Sequence, residues 1–586
     1  VTASKHSTNS AASSTTWAST DNQLDRDPRP TDTGGSLSSL AQTALNLLVK
    51  SAAVSYRSAV SAELVREETI GDLLRHAVRA APGVCALVEG VAEPAARRRW
   101  SYQELYAEAE TAAGALLTRF QPGERIAVWA DNIPEWTILQ LATALAGMPL
   151  VTVDPALRKS ELRHVLSTSR AAGVFLRQEY RDNPMAATVD QLRPELPALR
   201  EVVRFEHWPE FVESGTAAAL PEVRPGDTAQ IQFTSGTTGV PKGVVLHHSG
   251  LVNNARLSYT RVLRLERAEP FLNTMPLFHT AGSTLATLAT IAATATHVLM
   301  PFFDPALFLR LTEEERSVVF GGVPTMLRAL LDHPDLPHTD TSSVRCALSG
   351  GAVVPPELVA RVEQALGVPM AIVFAQTEAS PAITMTDPFA DSTDDRATTL
   401  GRPVAGVEVA VKADGQVVPI GERGELCTRG FHVMTGYLDL PEQTAAAIDA
   451  EGWLHTGDLA RMDERGYCRI DGRVKDMIIR GGENLFPREI EEALAQHPGV
   501  AEVVVVVGVP DEHWGEQPAA FVRTRPGVAL TEDELVAFGR QHLARQKVPR
   551  VWRFVARIPT TGSGKVRRFE LRDRLLAEQP ATQHGD

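Results

Sequence analysis

Residues 234–243 read Thr-Ser-Gly-Thr-Thr-Gly-Val-Pro-Lys-Gly, a run of hydroxyls and glycines that closes on a lysine. Gly236, Gly239 and Gly243 let the backbone turn its N–H groups toward an anion; Ser235, Thr237 and Thr238 add donors and Lys242 adds charge. That is chemistry for gripping a polyphosphate. A Walker-type loop needs glycine before its lysine and a hydroxyl residue after it, whereas here Pro241 precedes Lys242 and Gly243 follows. Ala229-Gln-Ile-Gln-Phe233 alternates apolar and polar residues as a half-buried strand does, and Val244-Val-Leu246 reads as its hairpin partner. The loop is thus held between two strands and does not open a helix.

Further strings carry groups that a nucleotide-dependent acid activation needs. Such a reaction brings a triphosphate and a carboxylate face to face, so cations must neutralise both. Phe374-Ala-Gln-Thr-Glu378 offers a hydroxyl beside a carboxylate, and Mg²⁺ takes oxygen ligands. Glu451-Gly-Trp-Leu-His-Thr-Gly-Asp458 ends on a carboxylate suited to accept from two vicinal hydroxyls, as a ribose presents. Arg473 follows fifteen positions later. Pro559-Thr-Thr-Gly-Ser-Gly-Lys-Val-Arg567 puts Lys565 on a glycine-flanked loop that can reach into a site built elsewhere. In Arg480-Gly-Gly-Glu-Asn-Leu-Phe-Pro487 the paired glycines let a backbone edge approach a ligand.

Taken together and in this order, the strings resemble the adenylate-forming superfamily of acyl-CoA synthetases, aryl-CoA ligases, luciferases and peptide-synthetase adenylation domains. The resemblance runs from about Glu68 to about Leu576 and is nearest to ligases of fatty and other medium- or long-chain acids. It implies that Thr377 contacts the α-phosphate region, that Glu378 with Thr234 holds Mg²⁺, and that Asp458 and Arg473 bind ribose or phosphate. Lys565 would bond carboxylate and phosphate during adenylation. Gly481, Gly482 and Glu483 would line a pantetheine tunnel, with Trp514 packing on CoA. His279, in Met275-Pro-Leu-Phe-His-Thr-Ala-Gly282, would border the acid and close the path to water. Gly350, Gly351 and Ala352, then Phe374, Ala375 and Gln376, would form walls. Phe374 stands where the superfamily has Tyr, and Ala375 where it has Gly, adding a methyl near the adenine or acyl end.

The resemblance implies an ATP-dependent acid–thiol ligase: acid plus ATP gives acyl-AMP and pyrophosphate, and CoA then displaces AMP. No Asp lies around Phe278–Ser283, where amino-acid-activating members place one, so a small-molecule carboxylic acid with a hydrophobic, uncharged tail is favoured. Transfer to an acyl-carrier protein is the rival, and the absence of an insertion in residues 480–487 favours CoA. A non-catalytic acyl- or nucleotide-binding scaffold is the alternative from another class; it leaves the cluster of catalytic strings without a purpose.

Length and composition set the frame for these strings. With 586 residues and 44% apolar content the chain has material for about four domain-sized units. Its 58 basic and 72 acidic residues give a net charge of −14, which disfavours nucleic acid as a general partner. Cys85, Cys346, Cys427 and Cys468 are scattered without CxxC pairing, which fits a reducing cytoplasm. No run of about 18 apolar residues predicts a membrane span, and no secretion signal is read at the N-terminus. Nothing in the pattern predicts the oligomeric state.

The expected fold is α/β: a large N-terminal body of layered, largely parallel sheets with helices, plus a small mobile α+β C-terminal domain. Residues 1–36, rich in Ser, Thr, Asp and Pro, read as a disordered tail, and 37–66 as an amphipathic helical appendage. The body spans 67–472 and the lid domain 473–586, with a hinge near Lys475. In the body, strands at Arg125–Ala130, Leu150–Val153 and Gly173–Leu176 alternate with helices at Glu135–Ala146 and Lys159–Ser167. The apolar stretch from Thr284 to Val298 suits either a greasy lining or a buried helix. Helices at Pro487–His497 and Thr531–Ala544 and strands at Val503–Val507 and Ala519–Arg523 make up the C-terminal piece.

Overall fold

The computed structural model of the protein describes residues 54–215, 219–234, 241–559 and 566–578. The tail at 1–36, most of the appendage, the loop at 235–240 and the segment 560–565 lie outside the described residues.

The phosphate-loop hairpin is part of a seven-stranded sheet. In spatial order its strands are Gly436–Tyr437, Lys242–His247, Thr228–Thr234, Leu150–Val153, Ile126–Trp129, Gly173–Leu176 and Glu201–Arg204. The last five run parallel; the hairpin and the short Gly436–Tyr437 strand add two antiparallel pairings at one edge. Helices Pro134–Leu145 and Lys159–Ser169 connect the parallel strands, as right-handed crossovers require. Ile126–Trp129 and Leu150–Val153 are buried at every position, which is why they read as unbroken apolar runs.

Two more sheets have parallel centres. One orders Pro270–Asn273, Thr296–Leu299, Cys85–Glu89 and Arg99–Ser101; the other orders Val319–Gly321, Cys346–Gly350, Met370–Ala375, Ala382–Met385 and Arg402–Pro403. The fourth departs from the parallel expectation. Tyr56–Arg57, Val407–Ala413, Gly424–Gly430, Leu454–Met462 and Cys468–Arg473 pair antiparallel throughout, with Gln416–Val417 hairpinned on the second.

Residues 54–66 correct the helical reading of the appendage in the part that is described. Tyr56 and Arg57 pair with Ala410 and Val409 as an edge strand, and only Ala62–Leu64 makes a single 3₁₀ turn. The Tyr56 hydroxyl donates to Glu408, and its ring meets Trp453 edge-on. Cross-strand packing outweighs the weak helical periodicity of this stretch.

The C-terminal piece builds its own core. Two apolar clusters contain only residues from Ile478 onward, around Val506, Val522, Leu535 and Trp552 on one face and Val505, Phe521, Leu571 and Leu575 on the other. They flank a sheet ordered Glu483–Leu485, Ile478–Arg480, Gly515–Thr524 and Val500–Asp511, with Val551–Phe554 added parallel to Gly515–Thr524. Pro487 starts helix Pro487–Ala495, and a Thr531–Glu534 capping box starts Glu532–His542. Lys475 sits in the 3₁₀ turn Val474–Asp476 between the body's last strand and the first strand of this domain.

Candidate active site

Thr234 ends its strand directly opposite Lys242, so the two described ends of the phosphate loop meet as a register pair. His164 Nε2 donates a hydrogen bond to the Pro241 carbonyl at 2.9 Å, tying Pro241 to helix Lys159–Ser169. Ser235, Gly236, Thr237, Thr238 and Gly239 lie outside the described residues. Gln230 and Gln232 are not the solvent-facing half of their strand, since both are buried. Gln232 Nε2 donates to Thr377 Oγ1 at 3.2 Å, and Gln230 Nε2 donates to Gln232 Oε1 and Ser283 Oγ. A polar chain therefore runs from strand Thr228–Thr234 to the Thr377-Glu378 turn.

That turn is a short 3₁₀ segment, Thr377–Ala379, at the exit of strand Met370–Ala375. Glu378 Oε1 accepts a hydrogen bond from the Tyr437 hydroxyl at 2.9 Å, and Lys242 Nζ stands 4.9 Å from the centre of the Tyr437 ring. Burial foremost, then the Glu378 charge, raises the Tyr437 phenol above its ordinary range and keeps it a donor. Neither Tyr437 nor Gln232 is apparent from the motifs. Tyr437 belongs to no charged or glycine-rich string, while the alternating glutamines are a signal that reads equally well as an exposed strand face.

Gln376 closes the next link. Its Nε2 donates to Asp458 Oδ2 at 2.7 Å and to the Thr456 carbonyl at 2.8 Å. Arg473 Nε donates to Asp458 Oδ1 at 2.8 Å, because strands Leu454–Met462 and Cys468–Arg473 pair Asp458 with Arg473. Partial desolvation works against the Arg473 guanidinium, and the hydrogen bond and charge of Asp458 outweigh it and raise the group further. Asp458 is buried and Arg473 exposed, so the carboxylate is presented at a surface edge and held by two donors.

A mainly apolar cavity begins at the same turn. Ala375, Gln376, Thr377, His279, Gly350 and Gly351 all line it. Tyr259, Phe271, Leu285, Val323 and Leu348 are among its other lining residues, and the motifs do not mark them. Two expected wall residues are not there. Phe374 alternates to the face opposite Val373 and Ala375, and Ala352 is exposed beyond the end of its strand. The stretch Thr284–Val298 is partly lining and partly helix: a π-helical turn at Ala281–Ala286 brings Leu285 and Ala286 to the cavity, helix Thr287–Ala293 follows, and Thr296–Leu299 is a strand. Gly282 fits here because a Cβ would stand 2.3 Å from the Pro276 carbonyl oxygen. His279 Nδ1 accepts from the Ala281 N–H at 3.2 Å, which fixes the ring at the cavity wall.

In the C-terminal domain Gly481 and Gly482, both with positive φ, make the two-residue turn between Ile478–Arg480 and Glu483–Leu485. Trp514 covers this turn: the Gly481 N–H donates to the Trp514 carbonyl at 2.7 Å, and a Cβ on Gly481 would lie 2.6 Å from the indole. Arg480 stacks on the same ring. Gly481, Gly482, Glu483 and Trp514 thus form one surface, with Glu483 exposed and Trp514 partly so. Lys565 lies outside the described residues. Arg567, two positions on, donates its N–H to the Pro559 carbonyl at 2.9 Å, and its charge opposes the upward shift that burial imposes on Asp154.

These pairings join motifs from four regions of the chain, carried on three different sheets, and comparison with known proteins identifies the arrangement. The AMP-binding enzyme family matches residues 74–438, and the AMP-binding enzyme C-terminal domain matches 489–565. The chain belongs to the AMP-binding enzyme family. It is 38% identical over 519 residues to a 3-(7a-methyl-1,5-dioxo-octahydro-inden-4-yl)propanoyl:CoA ligase of Mycobacterium tuberculosis, covering 86% of this chain and 98% of the relative. It is 34% identical over 513 residues to the mitochondrial medium-chain acyl-CoA ligase ACSF2 of Rattus norvegicus, covering 81% and 83%. The solved structure of ATP-bound MatB from Rhodopseudomonas palustris superposes with a TM-score of 0.79 at 28% identity, covering 86% of this chain and 99% of that one. The family member described here is an AMP-forming acid–CoA ligase. No helix among the described residues is long and apolar enough to cross a membrane.

Proposed function

We propose that this ligase activates a hydrophobic carboxylic acid whose tail enters the cavity beside Thr377, and that it passes the acyl group to CoA. The supporting observation is the shared border. Gln376 both lines the apolar cavity and donates to Asp458, so an acid in the cavity and a nucleotide on Asp458 would meet at one turn. Carboxylate oxygen attacks the α-phosphorus and pyrophosphate leaves; the CoA thiol then attacks the acyl carbonyl and AMP leaves.

Each residue has a part in that sequence. Thr377 and the hydroxyl loop orient the phosphates, with Lys242 and Lys565 supplying charge. Asp458 accepts from the ribose hydroxyls, and Arg473 keeps it aimed. His279 shields the mixed anhydride from water. The donor set suits Mg²⁺, since Glu378 and Thr234 offer a carboxylate and a hydroxyl of the hard oxygen type, and the ion would neutralise phosphate charge there. The Gly481-Gly482 turn with Trp514 is the surface for pantetheine once the C-terminal domain turns about Lys475. The four cysteines are all free, and we assign the activity to the cytoplasm.

Pyrophosphate exchange into ATP over a panel of acids tests the first step. Aliphatic and other hydrophobic acids should support exchange and dicarboxylates should not; exchange with none of them would remove the reading. Adding CoA or a phosphopantetheinyl carrier protein to the productive acid separates the two acceptors, with thioester expected on CoA.

A further inference from the structure

Glu425, Cys427 and His455 form a cluster that the ligase chemistry does not use. Strands Gly424–Gly430 and Leu454–Met462 set Cys427 directly opposite His455, with Glu425 two positions earlier on the same face. His455 Nδ1 lies 2.7 Å from Glu425 Oε2 and 3.5 Å from Cys427 Sγ. Their ligand atoms all fall within 4.8 Å of one another, the one such trio of His, Cys and carboxylate among the described residues. On the far side of the ring, Nε2 faces Asp449 Oδ2 at 3.5 Å, and Lys412 Nζ holds that carboxylate at 3.2 Å. A nitrogen, a sulfur and an oxygen converging on one point, with the remote imidazole nitrogen against a carboxylate, is the arrangement of a metal-bound histidine.

We propose that Glu425, Cys427 and His455 bind one zinc-class divalent cation, with a fourth position left to water. On binding, Cys427 releases its thiol proton to solvent, Glu425 binds through Oε2, and His455 binds as the neutral imidazole through Nδ1 while its Nε2–H points to Asp449. Thiolate and carboxylate together balance the two positive charges of the ion. The nitrogen–sulfur separation already matches a tetrahedral site, for which bond lengths imply about 3.5 Å. The nitrogen–oxygen pair must open by about 0.7 Å to reach the corresponding spacing. Glu425 and His455 are 25% and 28% exposed and have room for that, whereas Cys427 is fully buried. Without a metal, burial and the Glu425 charge push the Cys427 thiol to about 12 and leave it neutral. Glu425 also accepts the Gly457 N–H through Oε1 at 2.8 Å, so the site is one residue from Asp458 along the chain. The cation is distinct from Mg²⁺ at Glu378, because a thiolate–imidazole set selects softer ions.

Titration of the full chain with Co²⁺ in the absence of ATP, after chelator treatment, reads the site directly. The expected result is a near-ultraviolet thiolate-to-cobalt band with visible bands of a four-coordinate ion, saturating at one equivalent and displaced by Zn²⁺. Cys427→Ser and His455→Gln should each abolish it, and Asp449→Asn should weaken cobalt binding about 10–100-fold. No thiolate band, or a band that survives either of the first two substitutions, overturns the proposal. X-ray absorption at the zinc edge of the unmutated chain loaded with one equivalent guards against variants that fail to fold. One sulfur with two or three nitrogen or oxygen neighbours is expected, and a sulfur-free shell overturns the site.

Discussion

The Tyr437 hydroxyl donates to Glu378 Oε1 at 2.9 Å while the ammonium of Lys242 stands 4.9 Å from the centre of the same ring. One phenol thereby fixes the orientation of the proposed Mg²⁺ carboxylate and faces the cation that ends the phosphate loop. The link is built by the sheet: Tyr437 pairs with Val244, two residues beyond Lys242. Tyr437→Phe keeps the ring under Lys242 and removes the donor to Glu378. A hydrogen bond to a charged group contributes about 1.5–3 kcal/mol, so pyrophosphate exchange should fall about tenfold or more. The loss should shrink as Mg²⁺ is raised. Exchange measured against free Mg²⁺ decides the matter; a curve identical to the parent's would mean that Tyr437 does not orient the carboxylate.

Asp458 is held on both oxygens, by Gln376 at 2.7 Å and Arg473 at 2.8 Å, which leaves its remaining lone pairs for a nucleoside. Asp458→Asn keeps the size of the side chain but turns one acceptor into a donor. The parent should prefer ATP over 3′-deoxy-ATP about tenfold or more, given the strength of hydrogen bonds to a charged acceptor. The variant should lose that preference while its KM for ATP rises. Comparison of kcat/KM for the two nucleotides checks this, and an unchanged ratio would take Asp458 off the ribose.

What was legible in the sequence followed from rules that act locally. Period-two alternation located the hairpin around residues 228–247, and Pro487 with its following glutamates located the helix that begins the lid's layer. Resemblance to the superfamily's motifs named Gln376, Asp458 and Arg473, and the structure puts Gln376 and Arg473 each within hydrogen-bond distance of Asp458. Three other features depend on tertiary partners that no local pattern encodes. Gln230 and Gln232 look like an exposed face but are buried because each finds a partner in Ser283 or Thr377. Phe374 belongs to the expected string, yet the pleat of its own strand turns it from the cavity. Tyr56 and Arg57 fall within the stretch 37–66 read as helical and still join a sheet strand more than three hundred residues away in sequence.

Two glycines at the cavity should respond in opposite ways to the same methyl. At Gly350 a Cβ would stand 2.5 Å from the Val373 carbonyl oxygen and 2.6 Å from its Cγ1, between strands that cannot part. At Gly321 the nearest atom is Leu348 Cβ at 3.8 Å, an ordinary contact, and Gly321 also lines the cavity. Gly350→Ala should therefore lose about 1–3 kcal/mol of stability through overpacking. Gly321→Ala should melt with the parent and shift the acid panel toward shorter or narrower acids. Thermal melting and the exchange panel read the two effects separately. Equal melting temperatures for both variants would contradict the packing argument at Gly350, and an unshifted panel for Gly321→Ala would place the acid elsewhere.

Lys565 is the proposed cation of adenylation, and its neighbours show where its loop is rooted. The Arg567 N–H closes onto the Pro559 carbonyl at 2.9 Å, which ties together the described residues that flank Lys565 in sequence. The Arg567 charge acts on Asp154, which follows strand Leu150–Val153, the parallel neighbour of Thr228–Thr234. Ligands of parallel sheets gather at such carboxyl ends. An ammonium on that loop can stabilise charge as the carboxylate meets the α-phosphorus, but the second step needs no such contact, because the anhydride is already formed. Lys565→Ala should lower pyrophosphate exchange about 10²–10³-fold, the range found when one preorganised donor is removed. Thioester formation from preformed acyl-AMP and CoA should stay close to the parental rate. Exchange that persists in the variant would remove Lys565 from adenylation, and an equal loss in both half-reactions would point to damaged folding of the lid rather than to a missing charge.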